Sequence, residues 1–210
     1  MVIWFLYFLV SLVCMVLCYI TNPFVVPFAD INGELQSVLK YWQTWDNSVF
    51  CSDSVEHAPK FLQYDWTKHY REYKGTDPYL ASVNRDRWFV SCIDPDFTLW
   101  ERVQRYCCGV LWLTRNCSYG FSFYLLGLTV SPTLEISESA NTKFVKEVYG
   151  QGLWGAWEYK NTAPIFTLWG WTVHWNNLLG WKIDESAQFD TRAMIANRIA
   201  FFLEKEGEQL

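Results

Sequence analysis

Three histidines are the side chains of this sequence best suited to move protons near neutral pH. His57 follows Glu56, His69 comes four residues after Asp65, and His174 lies between Val173 and Trp175. On a helix, Asp65 and His69 would share a face, so the carboxylate could orient the imidazole for general acid or base work. An ordinary exposed helix pair has the same spacing. Nucleophilic Cys–His pairing needs an approach in space that spacing alone does not set. Asp94 and Asp96 flank Pro95 and would offer a cation two carboxylates without further oxygen ligands, so a turn is the simpler expectation. There is no GxSxG, P-loop, strand-linked GxGxxG or HExxH. The seven cysteines, Cys14, Cys18, Cys51, Cys92, Cys107, Cys108 and Cys117, include no CxxC pair and no histidines at metal spacing. They read as small apolar residues, with a Cys51–Cys92 bridge left open to an oxidising compartment. Asn116–Cys117–Ser118 matches a glycosylation sequon but falls inside a predicted helix. No catalytic, cofactor-binding or metal residue is therefore assigned, and no cofactor is expected.

The elements that would have to position such groups begin with an apolar stretch. No charged side chain occurs from Val2 through Val26. A helix over Val2–Ile20 would span roughly 28 Å, close to the hydrocarbon thickness of a bilayer. A cleaved signal peptide would call for a basic start, a shorter apolar run and a small-x-small cleavage site, and none is present. An uncleaved membrane anchor is the expectation. In the segment that follows, "APKFLQYDWTKHYREYKG" predicts a helix from Pro59 to Gly75 with Leu62, Trp66, Tyr70 and Tyr73 on one face, either in the membrane interface or packed on its own domain. "RWFVSCIDPD" predicts a short strand ending at an Asp-Pro turn. Thr98 and Glu101 form a capping-box pair, and Leu99, Val103, Tyr106, Val110, Leu113, Cys117, Phe121 and Tyr124 recur at helical spacing. One long helix from about Thr98 to Leu126 is expected. The charge-free run from Asn116 to Leu134 is long enough to cross a bilayer, but it carries Asn, Ser, Gly and Pro, and Arg115 precedes it. Lys and Arg number nine between Asp30 and Arg105 and seven after Glu135, so loop charge does not choose between one span and two. One span is expected.

From Lys143 on, the texture turns to period two. Leu153, Trp157 and Tyr159 alternate with Trp154, Glu158 and Lys160, while Ile165, Thr167, Trp169, Trp171, Val173 and Trp175 share one parity. With turn chemistry at "KNTAP" and "WNN", this predicts an antiparallel meander whose glycines at 152, 155, 170 and 180 mark bulges or close approaches. "TRAMIANRIAFFLEKEG" reads as its last strand or a closing helix, with the aromatic, branched "RIAFFL" favouring strand, and "LLGWKID" is structural, with Trp181 in the core, Lys182 in solvent and a turn at Asp184. The fold class is thus α+β: a transmembrane anchor over residues 1–22, a mainly helical segment over 23–132 with one long capped helix, and a Trp-rich antiparallel β meander over 133–210.

"YWQTWDNS" at 41–48, "ERVQRYCCGVLWLTRNCSYGFSF" at 101–123, "WEYK" at 157–160, "LGWKID" at 179–184 and "AMIANRIAF" at 193–201 together resemble a family of small membrane-associated proteins of tailed bacteriophages and prophages. The resemblance covers most of the chain, implies a bacterial setting and carries no catalytic signature. The net charge of -5, without a long Lys/Arg run, argues against a nucleic-acid partner. Membrane lipid and a host or phage protein are the expected partners, and the bacterial inner membrane is the expected location. Two function classes follow. One is a membrane-anchored protein that binds a partner or modifies the host envelope. The other is a membrane-tethered hydrolase built on a histidine with a cysteine or carboxylate, which would need a cleft where two such groups converge.

Overall fold

The computed structural model describes residues 2–44, 47–76, 86–116, 119–126, 128–129, 133–149, 155–181, 192–193 and 197–205. They form two compact units, one of Val13–Gly127 and the other of Met1–Leu12 with Leu128–Leu210. The architecture is α+β, with a long apolar N-terminal helix, a helical middle and C-terminal antiparallel strands. Helix α1, Val2–Val25, is the one helix among the described residues long and apolar enough to cross a membrane. No second helix covers residues 116–134, because residues 128–129 and 133–138 are strand.

In the helical unit the core gathers Val25, Val26, Leu35, Val49, Phe50, Tyr70, Val90, Phe97, Trp112 and Leu113. Two short helices, α2 (Ser52–Glu56) and α3 (Trp66–His69), lead into strand β1 (Tyr70–Thr76), which pairs antiparallel with β2 (Asp86–Cys92). The helix expected from Pro59 to Gly75 does not form. Its second half is β1, where Tyr73 stands opposite Phe89 and stacks on it with ring centroids 5.6 Å apart. Aromatic cross-strand pairing with a segment distant in sequence outweighs the local helical spacing. The strand expected at "RWFVSC" does form, and the Asp94 side chain accepts from the Asp96 N–H in the turn that follows.

Helix α4, Leu99–Arg115, begins at the expected capping box: the Glu101 N–H donates to Thr98 Oγ1 (3.2 Å) and the Thr98 N–H donates to Glu101 Oε2 (2.8 Å). It stops sooner than the long helix that spacing predicts. Asn116 leaves helical geometry with its Nδ2 on the Trp112 carbonyl (3.1 Å), and helix resumes as α5 (Tyr119–Phe121) and a π-type turn over Ser122–Leu126. The buried face also differs from the expected stripe. Gln104, Cys108, Gly109, Trp112 and Leu113 are buried, whereas Leu99, Val103 and Tyr106 are exposed. Gln104 is held inside by donating to the Gln63 carbonyl (2.9 Å), a polar partner that apolar periodicity does not reveal.

In the strand unit, β3 (Leu128–Thr129) pairs with β8 (Arg192–Ala193). A five-stranded antiparallel sheet runs β4 (Thr133–Glu138), β5 (Thr142–Tyr149), β6 (Trp157–Leu168), β7 (Trp171–Gly180), β9 (Arg198–Lys205). The meander and its last strand thus form as expected, but the turns do not fall at "KNTAP" or "WNN", which both lie within strands. The reversal is at Trp169–Gly170, with φ of 52 and 76, the two consecutive positive values of a tight hairpin turn. Pro164 is tolerated inside β6 because β5 pairs only with Trp157–Tyr159, leaving the rest of β6 an edge among the described residues. A bulge between Pro164 and Phe166 also resets the parity. Phe166 and Leu168 now stand opposite Val173 and Trp171 on one face, and Thr167 opposite Thr172 on the other.

The core of this unit is aromatic. Trp181 and Trp4 are both buried and meet edge to face with centroids 4.2 Å apart, and Phe8 meets Trp157 at 4.8 Å. Gly180 has φ of 100, and a Cβ there would stand 2.4 Å from the Trp157 carbonyl oxygen, so only glycine fits. Lys182 and Asp184 of the expected turn, and Gly152, Leu153 and Trp154, lie outside the described residues, as do Cys117 and Ser118.

Candidate functional site

His69 meets a carboxylate, and the partner is not Asp65, which instead accepts from the Thr67 hydroxyl. The C-terminal end of α3 delivers His69 into the core, where it is fully buried and stacks on Phe97 with centroids 4.0 Å apart. Its Nδ1 lies 2.9 Å from the Asp94 carbonyl oxygen and its Nε2 lies 3.3 Å from Glu101 Oε1. Both ring nitrogens thus face oxygen atoms of the fold. Neither nitrogen is left to face a substrate. Glu101 ties this pair to the capping box and also lies 3.8 Å from Lys68 Nζ. Hydrogen bonds from the Thr98 side chain and backbone, then from His69, with Lys68 adding attraction, hold its carboxyl down to about 2.

The remaining candidates stay apart. His57 is exposed with Nδ1 2.8 Å from the Asp53 carbonyl oxygen, and His174 stands in β7 with Pro164 and Phe202 as its register neighbours. No bridge joins Cys51 and Cys92. Burial pushes the Cys108 thiol up to about 11, the opposite of what a nucleophile needs. Burial likewise raises Tyr70 to about 12. No group of three or more His, Cys, Asp or Glu residues able to hold a metal exists among the described residues. Sequence reasoning missed Arg105, whose guanidinium lies 3.6 Å from the centre of the Phe50 ring and donates to the Ile31 carbonyl (3.1 Å). That cation pins the loop after α1 to the core and is structural.

Two stretches of the described residues present apolar side chains to their surroundings. The β6–β7 hairpin carries no Asp, Glu, Lys or Arg from Asn161 to Asn177. Its two faces differ: Phe166, Leu168, Trp171 and Val173 line a shallow recess of about 270 Å³, while Thr167 and Thr172 share a hydroxyl hydrogen bond of 2.9 Å on the opposite face. Trp169 at the turn is 91% exposed. In α1, Val2, Ile3, Phe5, Leu6, Leu9, Val10, Val13, Val16, Leu17, Ile20 and Phe24 are all exposed. Contiguous apolar surface on this scale marks a place where something other than water is met.

A model of one protein family matches residues 1–206 of this chain. The chain belongs to DUF7338, a family of unknown function. No curated protein and no solved structure matches it. In this DUF7338 chain, then, the group that converges as catalysis would require, His69 with Glu101, is enclosed and saturated. Among the described residues, α1 and the β6–β7 arm expose large apolar side chains.

Proposed function

We propose that this DUF7338 chain is a membrane-attached phage or prophage protein of the bacterial inner membrane, acting by non-covalent binding of a host or phage protein or by altering the host envelope. The observation that carries the reading is the outer face of α1, a charge-free helix of 24 residues with bulky aliphatic and aromatic side chains exposed along its length. Leaving that area in water is costly at roughly 25 cal/mol per Å² of apolar surface, and lipid removes the cost. The arm supports the second half of the reading, because Trp169, Phe166 and Leu168 are the rigid, exposed apolar groups that anchor interfaces. The phage setting rests on the family resemblance of "YWQTWDNS", "WEYK" and "LGWKID", and the inner membrane is the bacterial membrane we assign to it.

The test is fractionation of bacterial cells expressing the full chain, with membranes pelleted and washed in high salt. The expected result is recovery of the chain at intact mass in the washed pellet. Recovery at intact mass in the soluble fraction would overturn the reading.

A further inference from the structure

The exposed side chains of α1 define how it meets lipid. At 3.6 residues per turn, Val2, Ile3, Phe5, Leu6, Leu9 and Val10 fall within an arc of roughly 160°, and the exposed residues of the later turns keep to the same arc. Packing on another helix needs a stripe of about 100°, and a coiled-coil seam less. This arc is wider than a second copy would cover, and the polar side chain at its edge, Thr21, has its hydroxyl engaged, donating to the Leu17 carbonyl (2.7 Å) and accepting from Trp42 Nε1 (2.7 Å). Acyl chains are the occupant that fits.

The other side of the first three turns is filled by protein. Trp4 packs on Trp181, Phe8 on Trp157, and Ser11 Oγ accepts from Asn197 Nδ2 at 3.0 Å. Asn197 Oδ1 in turn accepts from the Gly180 N–H at the end of β7 (2.9 Å). Ser11 is the midpoint of Val2–Ile20, so a helix crossing the bilayer would carry this contact to the midplane. It would bring with it the end of a five-stranded sheet whose outer strands β4 and β9 are open among the described residues, and the ion pair of Glu158 with Lys160 next to Trp157. Hydrocarbon does not accommodate open sheet edges exposed to lipid, and it makes charges costly. The length of α1 permits a crossing, but its packing opposes one.

We infer that α1 does not cross the membrane but lies in the plane of one leaflet, its apolar arc sunk to the boundary of headgroups and acyl chains and the strand unit on the aqueous side of its first three turns. This rests on the membrane attachment proposed above. It places both ends of the chain on the same side of the membrane.

Sealed vesicles of both orientations, from cells expressing the full chain with a small epitope tag at each end, would be treated with protease. The expected result is that both tags are lost together in one orientation and retained together in the other. Loss of one tag with retention of the other in the same vesicles would overturn the in-plane arrangement and leave membrane attachment standing. Absence of the chain from washed vesicles would overturn the attachment and the in-plane arrangement together.

Discussion

His69 is fully buried with a hydrogen-bond acceptor at each ring nitrogen, whereas Trp169 projects from a two-residue turn almost entirely in solvent. The polar residue with the most chemical promise is consumed in holding α4 to the β1–β2 hairpin. The apolar residue, which sequence pattern would assign to a core, is left at the surface. The contrast teaches that, in this chain, unsatisfied chemistry lies in apolar area and not in titratable groups. Exposed aromatic area of this kind is the feature by which a surface meets something other than water.

Tryptophan substitutions sharpen the comparison most, because the strand unit holds both kinds. Trp181→Ala removes a buried ring packed on Trp4, and should lower stability by about 3–5 kcal/mol in denaturant melts. A loss below about 1 kcal/mol would mean that Trp181 is not core. At the helical unit, His69→Ala leaves the Asp94 carbonyl and the Glu101 carboxylate without their ring partner, with an expected loss of about 1–3 kcal/mol. Unchanged stability together with a lost biological activity would reverse the comparison and make His69 a working residue.

Glu101 gives that prediction a pH signature. Its carboxyl is held at about 2 in the fold, below the ordinary value of about 4.3 in an unfolded chain. The folded state therefore favours the ionised form, and the stability this provides is present above about pH 4.3 and disappears as pH falls through about 2. Melting temperatures of Glu101→Gln should be flatter than wild type across that window. A parallel decline in the two proteins would show that the cluster does not hold the carboxylate. Thr98→Ala breaks the cap itself and should cost about 1 kcal/mol. Trp169→Ala is expected to shift stability by less than about 0.5 kcal/mol, since the ring is exposed, while weakening capture of any partner by the arm. A large stability loss there would place Trp169 in a core.

Local and distant interactions differ in how far the sequence reveals them. Thr98 and Glu101 are legible because a capping box is set within four consecutive residues, and the alternating strands of the last third are readable because their pattern is also local. Local spacing offers His69 only Asp65, because Asp94 and Glu101 lie 25 and 32 residues away and the fold brings them in. The β1 segment has helical spacing of its own, and its stabilising neighbour is β2, which local pattern does not show. The hairpin turn was displaced because Trp169 adopts a left-handed conformation that Asn or Asp usually fills, while Asn161 and Pro164 advertise a turn they do not make. The division of α1 into a packed side and a bare side was hidden by a sequence apolar all round.

The bare side of α1 is the central claim, and flotation with liposomes tests it directly. Wild-type full-length chain is compared with the double variant Leu6→Glu, Leu9→Glu, which puts two charges on exposed positions and leaves Trp4, Phe8 and Ser11 in place. Wild type should rise with the vesicles, and the variant, folded by circular dichroism, should stay at the bottom of the gradient. Wild type remaining at the bottom, or a folded variant floating as well as wild type, would contradict a lipid-facing α1.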